Sequence, residues 1–178
     1  MSMHKIALLT LTLSGLTAGA AIAAESPKLG QPITEKDAAA WNQSIGPDGV
    51  GLPPGRGTVK RGAEVYAAKC EICHAAKGAG TPADRLVGGQ GSLDSAQPIK
   101  TVGSYWPYAT TLFDYVRRAM PLNEPQSLSA EEVYAVSAYV LNLNGVVNEK
   151  FIADAKSMPQ VKMPNRDNFF VVYPGNLP

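Results

Sequence analysis

The pentapeptide Cys70-Glu71-Ile72-Cys73-His74 constrains this chain more than any other feature, because it holds both of the cysteines present. C-x-x-C-H is the spacing of covalent c-type haem attachment. On a helical turn, positions three and four apart share a face. Cys70 and Cys73 can therefore reach the two vinyl groups of one haem while His74, four residues after Cys70, points at its iron. Val59–Lys69 reads as the helix leading into the motif, with Val65 and Tyr66 for packing and Gly62 open to close approach by another backbone. Three other chemistries use such cysteines. A thioredoxin-like pair needs a neighbouring βαβ pattern, and no strand-helix-strand alternation is visible. Zinc needs about four ligands, and these three lie too close together to close a tetrahedron. A tight disulfide leaves the adjacent histidine without a reason. The cysteine count also excludes a second c-type haem.

The N-terminus bears on where the motif works. Residues 1–5 are short and basic, residues 6–18 are apolar, and Ala21-Ile22-Ala23 is a small-residue cleavage site. Residues 1–23 thus read as a secretory signal peptide, removed on export to the periplasm; an uncleaved anchor is the alternative. The apolar stretch falls short of the roughly 18 to 20 residues that span a bilayer, and no later stretch is long enough, so the processed protein is expected not to span a membrane. Cleavage removes His4 and leaves His74 as the single histidine. It also removes Lys5 from a chain with 16 Lys and Arg against 15 Asp and Glu, leaving a near-neutral polypeptide. No nucleic-acid partner is implied.

With no second histidine, methionine leads for the sixth iron position, because a thioether favours reduced iron. Met120, Met158 and Met163 each precede a proline, so the dipeptide does not choose between them. Placement favours Met120. Residues 108–119 have helical apolar spacing at Leu112, Tyr115, Val116 and Ala119, after Pro107 and before Pro121. A second helix, Ala130–Leu143, is announced by Ser129 as N-cap, Glu132 for a capping box, Leu128 with Val133 as a staple, and Gly145 past its end. Its stripe of Val133, Val136, Val140 and Leu143, with Tyr139, is expected to pack near Gly62. Met163 is the rival ligand.

This order of attachment helix, long glycine-rich loop, helix ending in Met-Pro and capped last helix resembles the class I cytochrome c domain over about residues 58–144. The resemblance implies an all-α fold with long irregular loops, one covalent haem c, His74 and Met120 as axial iron ligands, and a base made by the crossing of the first and last helices. One departure stands out. Many relatives place a proline two residues before a leucine, and its carbonyl accepts the other N–H of the histidine. Here Asp84 stands two before Leu86, Pro82 is displaced, and the acceptor is left open.

Outside residues 58–147 lie a proline- and glycine-rich N-terminal extension, 24–57, and a C-terminal extension, 148–178, that carries Phe151, Phe169, Phe170, Val171, Val172 and Tyr173. Such an apolar tail is expected to wrap on the domain or on a partner. Arg85, Arg117 and Arg118 are candidates for pairing with haem carboxylates. The strings 84–91, 103–115 and 163–167 resemble the cytochrome subunits of bacterial sulfite and sulfur dehydrogenases. That likeness implies a non-catalytic haem subunit taking single electrons from a molybdenum-containing catalytic partner and passing them to a downstream cytochrome or oxidase. Both cysteines are already committed, so the chain is not expected to bind molybdenum itself. A generic soluble carrier serving several dehydrogenases is the nearest alternative. A small haem peroxidase, which needs an open sixth position, and a gas sensor, which needs an output element, stand further off.

Overall fold

Two helices cross so closely that only glycine fits at the contact. In the computed structural model, which describes residues 29–39 and 41–170, α2 is Val59–Lys69 and α5 is Ala130–Leu143. A Cβ added at Gly62 of α2 would lie 1.9 Å from the Ala135 carbonyl oxygen of α5. One added at Gly57 would lie 2.1 Å from the Ala135 backbone nitrogen. Ala135 therefore sits between two glycines, and the backbones meet without side chains between them. The proposed leader and the residues from Val171 onward lie outside the described residues.

Each helix starts and stops where local chemistry dictates. Thr58, extended at φ −98° and ψ 156°, caps α2 by accepting a hydrogen bond from Arg61 N at 3.2 Å. At the start of α5, Ser129 Oγ accepts from Glu132 N (3.3 Å) while Glu132 Oε2 accepts from Ser129 N (3.0 Å), the anticipated capping box. The far end of α5 closes with Gly145 at φ +70°, Gly145 N donating to Asn142 O and Val146 N to Leu141 O. That is a Schellman end, which glycine reaches without steric penalty. Between these helices α4, Ala109–Ala119, packs on α5, with the Phe113 and Tyr134 ring centroids 4.3 Å apart. Two shorter helices are α1, Glu35–Ala39, and α3, Glu71–His74, the latter carrying the motif itself.

Two features go beyond what the sequence shows. The helices dominate, but the all-α reading omitted a ladder: β1, Arg56–Thr58, pairs antiparallel with β2, Ile152–Asp154, with Gly57 opposite Ala153. Three-residue strands are too short to show alternation, so the sequence carries no signal for them. Nor is α5 buried along one stripe. Val133 through Ala138 are all buried, because the ladder and the C-terminal segment cover the face that a surface helix would turn to water.

The C-terminal segment, as far as residue 170, belongs to the same compact unit as the helices. Ala153, Met158, Val161 and Met163 are buried in the common core, Phe151 packs against it, and Asn165 Nδ2 donates to Tyr105 O at 2.8 Å. The proline- and glycine-rich stretch before β1 is tied in by Tyr134, whose hydroxyl donates to Pro53 O at 2.7 Å. Among the described residues no helix is long and apolar enough to cross a membrane.

Candidate haem site

A cavity of about 340 Å³ opens between the motif, the end of α4 and the inner face of α5. That size lies within the roughly 300 to 1,000 Å³ usual for small-molecule and cofactor sites. Cys70, Cys73 and His74 line it from the motif and Met120 from the end of α4, and Leu86, Val102, Leu112, Val116, Val136 and Val140 make much of the remaining wall apolar. Soft sulfur and imidazole donors at the edges of an apolar slot suit a flat, greasy macrocycle with a central metal. Among the described residues, no three His, Cys, Asp or Glu side chains converge as a separate metal site.

The histidine wall is held by hydrogen bonds at short range. His74 Nδ1 lies 2.8 Å from the Asp84 carbonyl oxygen. A carbonyl can only accept, so Nδ1 carries a proton, and in the neutral ring the lone pair is then on Nε2. The acceptor that the sequence left open is thus the backbone of the residue two before Leu86. An aspartate serves there as well as a proline, because the bond uses the carbonyl and not the ring. Neighbouring bonds fix that strand of loop: Ala83 N donates to Cys73 O (2.8 Å), Gly80 N to His74 O (2.9 Å) and Leu86 N to Gly78 O (2.9 Å). Directly after the histidine, Ala75 adopts φ +57°, a strained value for a residue with a Cβ, costing on the order of 1–3 kcal/mol. The Tyr66 hydroxyl donates to its carbonyl at 2.9 Å and helps hold it there. Burial, and secondly the Cys73 thiol, pushes the Cys70 thiol up to about 11, so an unattached Cys70 is protonated at neutral pH.

The methionine wall is built differently. Pro121 disfavours helical geometry at the residue before it, and Met120 is extended at φ −123° and ψ 143°, closing α4. Its side chain is half-buried at the cavity, whereas Met158 and Met163 are buried in the core and line no part of it. The three Met-Pro dipeptides that look alike in sequence therefore occupy two different environments.

Of the three arginines singled out, Arg85 lines the cavity; Arg117 and Arg118 do not, and Arg118 pairs instead with Asp114. Sequence reasoning missed Lys100, Tyr66, Trp106 and Tyr115 as cavity residues. Trp106 meets Tyr115 edge-on at 5.7 Å, and Lys100 Nζ stands 5.0 Å over the Tyr105 ring. Lys100 and Trp106 stand in a loop without periodicity, and Tyr66 and Tyr115, legible as helix residues, gave no sign of facing a cavity.

Residues 57–140 match the family of cytochrome c oxidase, cbb3-type, subunit III. With this fold and slot, the chain belongs to the class I c-type cytochromes, electron-transfer proteins with covalently bound haem c. Within that class it resembles the cytochrome subunits of bacterial sulfite and sulfur dehydrogenases. A chain in the crystal structure of the sulfane dehydrogenase SoxCD from Paracoccus pantotrophus superposes with a TM-score of 0.76 at 40% sequence identity, over 80% of this chain and 71% of that one. No curated protein sequence matches it.

Proposed function

We propose that this chain is the periplasmic, single-haem subunit of a molybdenum-containing sulfite or sulfur dehydrogenase, produced with a cleaved leader at residues 1–23. It takes single electrons from the catalytic subunit and passes them to a downstream cytochrome or oxidase. Cys70 and Cys73 would hold the haem through thioethers, and His74 and Met120 would bind its iron. Bound haem supplies the one-electron iron chemistry. The protein's part is to orient and exclude. His74, fixed by its bond to Asp84 O, presents Nε2; Met120 presents a thioether that favours reduced iron; the valine and leucine lining keeps water from the slot. The observation that supports this reading is that His74, from the motif, and Met120, from the end of α4, line one largely apolar cavity while the other two described methionines are core residues.

The likeness to a SoxCD chain supports the choice of partner over a generic carrier. Stopped-flow reduction by a cognate sulfur-oxidising molybdenum enzyme distinguishes them. This haem should be reduced much faster than that of an unrelated cytochrome. Equal rates would leave only the generic carrier.

A further inference from the structure

Asn144, at the end of α5 and 9% exposed, uses the whole hydrogen-bonding capacity of its side chain. Nδ2 donates to Val140 O (2.9 Å) and to Leu86 O (3.1 Å), while Oδ1 accepts from Gly88 N (3.1 Å) and Gln90 Nε2 (3.4 Å). The Asn144 carbonyl accepts from Gln90 Nε2 as well, at 3.2 Å. A Cβ at Gly103 would come within 2.2 Å of Asn144 Oδ1, so the neighbouring turn presses directly on the amide. None of these atoms touches the iron ligands. The chain they anchor does.

Asp84, whose carbonyl accepts the hydrogen bond from His74 Nδ1–H, is exposed and held by its neighbours. On one side Ala83 is pinned to Cys73 O; on the other Leu86 is pinned twice, by its nitrogen to Gly78 O and by its oxygen to Asn144. Cys73 belongs to the motif, and Gly78 lies in the turn that directly follows it. Asn144 is the anchor from another element, at the end of the helix that crosses α2.

We propose that Asn144 is a positioning residue for the iron: through Leu86 it keeps the Asp84 carbonyl on His74 Nδ1–H and so tunes the reduction potential. This rests on the reading that His74 ligates the iron. A histidine that donates its second N–H is a more basic ligand and favours the oxidised metal. Loosening the Asp84 carbonyl should therefore raise the potential.

The test compares two variants of the full-length, haem-loaded protein. Asn144→Asp, ionised, keeps an acceptor for Gly88 and Gln90 but loses the donors to Leu86 O and Val140 O, and because its charge alone favours oxidised iron, a rise in potential reads the lost donor. Gln90→Ala loosens the same loop and leaves the Leu86 bond intact. Asn144→Asp should raise the reduction potential and speed hydrogen exchange of the His74 Nδ1 proton in the reduced protein. Gln90→Ala should change neither, even though both variants melt earlier. Should Asn144→Asp not accumulate with haem, Asn144→Leu, which has no donor for Leu86 O, gives the same comparison. Lower stability with unchanged potential and exchange overturns the proposal, as do equal shifts in both variants. Failure of the underlying reading looks different: in the oxidised wild type, the His74 ring resonances would lack the paramagnetic shift of an iron ligand.

Discussion

The two walls of the haem slot are held by different forces. On the histidine wall, backbone and side-chain hydrogen bonds converge within a few residues, from Tyr66, Gly80, Ala83 and Leu86 and onto Asp84 O. Among the described residues the methionine wall has a sparser set, Glu124 N donating to Pro121 O (3.0 Å) and Lys69 of α2 pairing with Glu124 (3.3 Å). Met120 is placed by the end of α4 and the proline after it, and just beyond it Leu122 is 77% exposed. Support for that side comes from behind, where the Met158–Gln160 turn of the C-terminal segment packs on α4. One wall is fixed locally, and the other through tertiary packing. Perturbations remote from the haem should therefore reach the methionine side first.

Truncation after Asn148 gives the largest expected effect. It removes Met158, Val161 and Met163 from the core, each worth roughly 1.5 to 3 kcal/mol of burial before ordering costs. The melting temperature should drop sharply and the methionine-iron absorption should weaken, while covalent haem is retained. A truncated protein with unchanged melting and spectrum would break the contrast between the walls. Gly62→Ala comes next, because its methyl would meet Ala135 O at 1.9 Å and push α2 off α5. A loss of about 1 to 3 kcal/mol in denaturant unfolding is expected. Tyr66→Phe, which takes one bond from the histidine wall, should cost about 0.5 to 1.5 kcal/mol and leave the axial ligands in place. The smallest effect on the haem is expected of Tyr134→Phe, away from both walls, which loses the bond to Pro53 O at a cost of about 0.5 to 1.5 kcal/mol. Burial first, and then the Asp154 charge, raises the Tyr134 hydroxyl from 10.0 to about 12. Below pH 10 this tyrosine is neutral whether the chain is folded or not. Between about 10 and 12 only the unfolded chain ionises it, so stability is lost as pH rises. Unfolding measured across that range should be less steep in Tyr134→Phe than in the wild type.

Legibility from sequence followed the same division. Features set by a few adjacent residues could be read directly: the attachment motif, the Ser129 and Glu132 capping box, the Gly145 stop, and the proline-ended helix before Met120. Gly62 was readable as a site of close approach because a glycine inside a helical pattern calls for a reason. What lay hidden was decided by non-local contacts or by the backbone alone. Any residue at position 84 offers the same carbonyl, so its side chain could not announce the bond to His74. The burial of α5 on nearly every side depends on a ladder between segments almost a hundred residues apart. For the tail, apolar composition indicated contact with something, and only the fold shows Met158 and Met163 in the domain's own core.

The most direct test of the account is the spectrum and reduction potential of Met120→Ala beside Met163→Ala, each in the full-length haem protein. Met120→Ala should keep its covalent haem, because Cys70 and Cys73 are untouched. It should lose the weak sulfur-to-iron charge-transfer absorption of the oxidised form, and its potential should fall as the ligand favouring reduced iron disappears. Met163→Ala, which empties a core position, should melt earlier and retain both properties. Loss of the absorption in Met163→Ala, with its retention in Met120→Ala, would contradict the ligand assignment and the division between the two walls.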